Sequence, residues 1–208
     1  MALAHKGLQS DRRPWRFTEK DRIAFSGQDK VPVLVDNERV ISDSWHIAQY
    51  LDDQYPTTPQ LLGDLAEHQR SEFINLWADH VLLPAIGRII VLDILNCLAP
   101  IDKAYFRNSR EKRFGTTLES VAADCQSNVE ALQIVLTPLR KMLSEQDYLS
   151  GTSPRYGDYC VFGMFMWARC TSKIELVPRS DPIIRWRERL LDAFDGMARS
   201  ARLSYTLP

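Results

Sequence analysis

The sequence predicts a two-part chain, a short mixed α/β segment followed by a longer all-α one. Three observations carry this. Before the stretch from Pro56 to Asp64, short apolar runs alternate with turns, and after it almost every apolar pattern has helical period. The run "KVPVLVDNERVI" has two β-branched segments on either side of a tight polar turn. The run "YCVFGMFMWARC" is apolar on all sides, as expected of a helix in the middle of a bundle. The implied division is 1–55, a linker 56–64, and 65–208.

In chain order, Ala2 to Lys6 reads as the end of a helix closed by Gly7. Pro14 to Phe17 is expected as a short strand and Glu19 to Phe25 as one or two helical turns. Val31 to Val35 and Val40–Ile41 form a hairpin across "DNER". Ser42 or Asp43 caps a helix that runs to Gln54 with Ile47, Ala48 and Leu51 on one face. A long helix from Ala66 to about Leu95 is expected to kink or break at Pro84. A second spans about Thr117 to Leu143 despite Pro138, and a final one runs from Pro182 to Ala198. The charged stretch Arg107 to Gly115 reads as a solvated helix face or loop.

Composition excludes several functions. With 208 residues, 45% of them apolar, the chain has material for a real core. Its 26 Lys+Arg against 27 Asp+Glu leave no electrostatic footprint for nucleic acid or an anionic membrane. No apolar run of membrane-spanning length and no secretory signal is read from the sequence. The four cysteines and four histidines fall in no metal-ligand spacing, so no metal is expected. Cys160 and Cys170 are predicted on one helix about 15 Å apart, beyond disulfide reach. Reduced thiols point to a cytoplasmic setting.

The segment "KVPVLVDNERVISDSWHIAQYLDDQYP" resembles the glutathione-binding region of the glutathione transferase superfamily, and the helical remainder, including "YLSGTSPRYGDYCVFGMFMWA", continues the likeness to near Ala198. Within the superfamily the chain is most similar to the bacterial and fungal β-etherase-type members, through "DSW-IA-YLD-YP" and the stretch around Asp158. The resemblance implies a thioredoxin-like N-terminal domain followed by a helical acceptor-binding domain. It further implies a cis bond before Pro32, which turns the backbone of Val31 toward the cysteinyl part of glutathione. Asp43 and Ser44 match the acidic–Ser pair that holds the γ-glutamyl end, the helix N-terminus and hydroxyl receiving the carboxylate and Asp43 the ammonium. Lys30 is a candidate for the glycyl carboxylate. Trp77, His80 and Val81 are candidate walls for an apolar or aromatic acceptor. Core packing explains Trp77 and Val81 equally well.

The chain also departs from the family. The superfamily's first strand and the turn bearing its Ser, Tyr or Cys precede the "ALAHKGL" motif, which here starts at Ala2. The expectation is an incomplete, N-terminally shortened domain in which no residue takes the catalytic place; a relative that has lost catalysis is the competing explanation. In "SPRYGDY" the helix-cap position holds Arg155, which cannot accept backbone N–H bonds, so Ser153 is expected to cap one turn earlier and Asp158 to serve folding. The functional expectation is a glutathione-dependent transferase, a homodimer, acting on a hydrophobic or aromatic electrophile such as an aryl ether. The alternative is a non-catalytic protein of the same fold that binds glutathione or a hydrophobic ligand.

Overall fold

Glycine at position 7 ends the first helical turn, α1 (Ala2–His5), by taking φ +68°, and its N–H reaches the Ala4 carbonyl at 3.0 Å. Residues 1–206 are described in this computed structural model; the last two of the predicted helical domain lie outside them. Pro14–Phe17 is not the expected strand. It is irregular chain whose rings turn to a helix instead of a sheet: Phe17 packs against Tyr105 and Phe106, and neighbouring Thr18 donates to Asp102 through its N–H (3.2 Å) and its hydroxyl (2.9 Å). A short 3-10 helix, Lys20–Ser26, matches the expected helical turns.

The hairpin forms from β1 (Val33–Asp36) and β2 (Arg39–Ser42), antiparallel, with Val33 opposite Ser42 and Asp36 opposite Arg39. β1 starts two residues later than expected, because Pro32 has no N–H to give the ladder. Asn37 turns the corner at φ +54°, a conformation Asn tolerates better than most residues. Among the described residues the sheet has these two strands. Tyr50 and Tyr55 both donate to Asp36, at 2.9 and 2.5 Å, pinning the hairpin tip to α2 (Ser44–Gln54), which buries Ala48 and Leu51.

The helical domain opens with α3 (Leu65–Trp77), a π-helical turn (Ala78–Leu82) and α4 (Leu83–Cys97), which run on as one helical stretch. The predicted kink at Pro84 takes the form of that wider turn immediately before it. By length and composition alone this stretch is apolar enough to cross a membrane, contrary to the sequence reading; 44% of its most apolar part is buried inside the protein. α5 (Pro100–Phe114) is a full helix, its charged side held by Arg107 pairing with Glu111 (2.9 Å) and Glu119 (2.8 Å).

The single helix expected over Thr117–Leu143 is three: α6 (Leu118–Ala123), α7 (Cys125–Val135) and α8 (Thr137–Glu145). Pro138 lies in the first turn of α8, where a missing N–H is harmless. α9 (Tyr156–Thr171) carries both Cys160 and Cys170; Val161, Phe162 and Phe165 are buried, but Gly163 is exposed, so the helix is not enclosed on every side. Ser153 starts no helical turn. Asp158 compensates for Arg155: it accepts the Arg155 N–H (3.2 Å), Leu149 N–H (2.8 Å), Ser150 N–H (3.3 Å) and Trp186 Nε1 (2.8 Å). α10 (Pro182–Gly196) breaks at Ala193–Asp195, where Phe194 and Asp195 take positive φ, so its regular turns end well short of the expected Ala198.

One buried ion pair ties the two parts together. Lys6, 2% exposed, donates to Asp52 Oδ1 at 2.8 Å and to the Tyr55 carbonyl at 3.0 Å, while Asp52 also accepts the N–H groups of Leu61 (2.9 Å) and Leu62 (2.8 Å). Burial alone would raise the Asp52 pKa, but the Leu61 N–H, the Lys6 ammonium and the Leu62 N–H outweigh it and hold the group below its ordinary 3.8. Asp52→Asn leaves a buried ammonium without its counter-charge, and the expected loss is about 3–5 kcal/mol in urea unfolding at neutral pH. A depressed folded pKa contributes stability that is present above the unfolded value and lost as pH falls through the folded one. The variant's stability should therefore fall less steeply than the native protein's below about pH 4; identical acid slopes would rule out Asp52 as the ionised partner.

Candidate functional site

The hairpin ladder continues one rung past its strands. The Asp43 N–H points to the Pro32 carbonyl at 3.4 Å, so the chain entering β1 and the chain leaving β2 lie side by side. The Val31–Pro32 bond on the first of these is cis. Val31 is 51% exposed, and among the described residues none hydrogen-bonds to its N–H or C=O. Its backbone is therefore open to an extended peptide.

On the neighbouring chain Asp43 holds φ +76°, a conformation that costs a non-glycine residue about 1–3 kcal/mol and that collects at ligand sites. Of the two cap candidates it is Asp43 that caps α2, its Oδ1 accepting Trp45 N–H (2.9 Å) and His46 N–H (3.3 Å). Ser44 is thereby spared that task. Its N–H is unmatched among the described residues and lies at the positive end of the helix, with the hydroxyl beside it. A carboxylate fits there, and the exposed second oxygen of Asp43 is available to an ammonium. Lys30 is exposed next to Asp29, whose carboxylate Lys20 takes at 2.7 Å.

Behind Ser44 stands the helical domain. The phenol of Tyr156, 5% exposed, donates to Asn75 Oδ1 at 3.2 Å; the Cys160 thiol reaches the same oxygen at 3.4 Å; and Asn75 Nδ2 reaches Asp79 Oδ2 at 3.4 Å. Burial, with Cys160 adding to it, pushes the Tyr156 phenol well above its ordinary pKa, and hydrogen bonding from the Ser44 hydroxyl works the other way. Burial pushes the Cys160 thiol up to about 12, so it is protonated at neutral pH and no nucleophile. Burial raises the Asp79 pKa as well, helped by the charge of Asp43.

Sequence reasoning missed Asn75, Asp79, Tyr156 and Cys160. Each pair is spaced i, i+4 and so shares a helix face, but only the crossing of α3 with α9 turns the two faces toward Ser44. Trp77, His80 and Val81 flank Asp79 in the last turn of α3 and the π turn. Trp77 is half-buried against the core, His80 is exposed and Val81 is 40% exposed. The carboxylate of Asp43, at the N-terminus of α2, is among the charges that act on Asp79. Among the described residues no group of three His, Cys, Asp or Glu side chains is placed to hold a metal.

Comparison with known proteins identifies the family. A family model described as glutathione S-transferase, N-terminal domain, matches residues 1–59, and one described as glutathione S-transferase, C-terminal domain, matches residues 70–178. Glutathione S-transferase Z1 of Arabidopsis thaliana is 31% identical over 135 residues, 60% of this chain and 59% of that protein, so the chain spans about three fifths of the relative's length. A glutathione S-transferase of Ceriporiopsis subvermispora, solved in complex with glutathione, superposes with a TM-score of 0.79 at 22% identity, covering 93% of this chain and 86% of that one. A β-etherase of Sphingobium superposes with a TM-score of 0.70 at 18% identity, covering 96% and 92%. The chain belongs to the glutathione S-transferase family.

Proposed function

We propose that the chain binds glutathione along Val31 and Ser44 and transfers it to a hydrophobic, aromatic electrophile, an aryl ether among the candidates. The observation that carries the binding is the rung between Pro32 and Asp43, which sets an open peptide backbone beside an open helix N-terminus. Val31 takes the cysteinyl unit, Ser44 N–H and hydroxyl the γ-glutamyl carboxylate, Asp43 the ammonium, and Lys30 the glycyl carboxylate. In the transfer a thiolate sulfur bonds to the electrophilic carbon, the leaving group departs with the electron pair of its bond, and the thiol proton passes to solvent. The fold likeness to a β-etherase supports the aryl ether as acceptor. Four unpaired cysteines suit a reducing, cytoplasmic setting. A second reading, ligand binding without transfer, is favoured by one observation. The Cys160 thiol and Tyr156 phenol behind Ser44 are both held neutral, so neither serves as a base.

Calorimetric titration with glutathione tests the binding. Ser44→Ala should weaken it about tenfold or more, since a hydrogen bond to a charged group contributes roughly 1.5–3 kcal/mol; an unchanged Kd removes Ser44 from the site. Heat of binding without turnover of an aryl ether or a nitroaryl halide selects the second reading.

Tyr156→Phe should also weaken glutathione, and because it acts through Ser44 its effect should largely vanish in the Ser44→Ala background. Fully additive losses would mean that Tyr156 only packs.

Leu65, Phe73 and Leu76 form an exposed apolar stripe on α3, 74%, 70% and 50% exposed, and we assign it to a homodimer interface. Sedimentation should find a dimer that Phe73→Glu converts to monomer, and a monomeric native protein refutes the assignment.

A further inference from the structure

Resting on the glutathione reading above, we infer that Trp45 is a positioning residue for the peptide: it sets the angle at which Ser44 meets the γ-glutamyl carboxylate. Asp43 caps the first turn of α2 through the N–H groups of Trp45 and His46. Those bonds lie within the turn, so they keep it helical without orienting it against the rest of the protein. Orientation has to come from a side chain that reaches the helical domain.

Trp45 makes that reach. Its ring meets His68 of α3 edge-on, centroids 5.0 Å apart and planes at 67°, and tilts against Tyr156 of α9 at 5.6 Å and 59°. Both partners are themselves fixed. Tyr156 is 5% exposed, with its phenol donating to Asn75 Oδ1 at 3.2 Å and its N–H to the Leu61 carbonyl at 3.1 Å. His68 Nε2 accepts the Gln49 amide at 3.4 Å, and Gln49 lies one turn beyond Trp45 on the same side of α2. The side chain of neighbouring His46, by contrast, is 68% exposed. Aromatic contacts are directional, so a ring held by two others fixes an angle as well as a distance.

Further along this side of α2 the packing is open. A cleft of about 230 Å³ is lined by Gln49 and Asp53 of α2, Gln60 and Gly63 of the linker, and His68. Past it Asp52 is tied to Lys6, Leu61 and Leu62. On this side α2 is therefore anchored at two places with a gap between them, and the anchor nearer the site is Trp45. Ser44 directly precedes it. A hydrogen bond weakens steeply as its angle closes, so a tilt of this turn costs the carboxylate contact first. Val31 leads into the hairpin, whose ladder does not involve Trp45.

The experiment is calorimetric titration with two peptides. One is glutathione; the other is the analogue in which γ-aminobutyrate replaces the γ-glutamyl residue, so that the amine is kept and the carboxylate is lost. The native protein should bind glutathione about tenfold more tightly than the analogue. Trp45→Leu should bring the two constants within about threefold by weakening glutathione alone. Trp45→Phe, which keeps a ring between His68 and Tyr156, should retain most of the native ratio. If the native protein binds neither peptide, the glutathione reading falls and this inference with it; if it binds both equally, Ser44 holds no carboxylate and the inference falls too. If the native ratio is present and Trp45→Leu keeps it, or weakens both peptides alike, the positioning role alone is refuted. Should urea denaturation show Trp45→Leu to be unfolded, His68→Ala, which removes one of the two ring contacts, takes its place: the ratio should fall, and an unchanged ratio refutes the role.

Discussion

The placement of the site depends on the buried pair between Lys6 and Asp52. Asp52 lies near the end of α2, and its two oxygens collect one ammonium and two linker N–H groups. α1, α2 and the linker into the helical domain are thus joined at a single carboxylate. Taking two charges out of water is costly, and such a pair holds only if the remaining donors and acceptors are matched. Here they are matched by backbone from both sides, the Tyr55 carbonyl on Lys6 and the Leu61 and Leu62 amides on Asp52. His5 adds a second tie, to the Tyr159 hydroxyl at 2.7 Å and to the Gln60 carbonyl at 3.1 Å. The far end of α2 is fixed in this way, so its near end, with Asp43 and Ser44, has a definite direction.

Asp158 solves the matching problem in the helical domain by the same means. Burial pushes its pKa up while Trp186, Leu149, Arg155 and Ser150 act against that, so the four donors make a carboxylate tolerable where none would otherwise be. The arginine at the cap position would have left α9 with an unmatched first turn. Its guanidinium instead reaches the Gln60 carbonyl at 2.8 Å, Asp158 accepts the Arg155 N–H, and the Leu61 carbonyl accepts the Tyr156 N–H at 3.1 Å. Gly63, at φ +65°, is tightly enclosed: a Cβ there would meet Glu67 Cβ at 3.1 Å and the end of the Arg155 side chain at 3.2 Å.

Local patterns were legible in the sequence wherever one residue type had a single good use. Gly7 closing a turn, the hairpin register around Val33–Ser42 and the helix start at Asp43–Ser44 all follow from backbone chemistry, and all are found. Pro14–Phe17 was misread because aromatic residues favour strands, whereas here Phe17 serves packing against α5, and a tertiary contact overrides propensity. The long Thr117–Leu143 pattern failed at Asp124 and Leu136 because one apolar periodicity is compatible with several short helices, of which α6 and α7 pack on α4 and α8 on α10. Val31, Pro32, Asp43 and Ser44 were legible as neighbours because fourteen consecutive residues, folded as one hairpin, bring them together. Asn75, Tyr156 and Cys160 were not, since their meeting depends on how two distant helices cross.

That crossing gives the site its character. Ser44 would be a surface serine at a helix end if the N-terminal domain stood alone, with water as the partner of its hydroxyl. Against α3 and α9 it meets a phenol whose own proton is committed to Asn75, and Asn75 Oδ1 already has a second donor in Cys160. A carboxylate arriving at Ser44 draws the hydroxyl proton toward itself, which leaves the serine oxygen as an acceptor. Tyr156 can then turn its proton to that oxygen while Cys160 keeps Asn75 Oδ1 matched, so no buried polar group is orphaned by the exchange. If a peptide carboxylate docks at Ser44 as proposed, the helical domain is part of its site, and binding at the hairpin is felt across the boundary between the two domains.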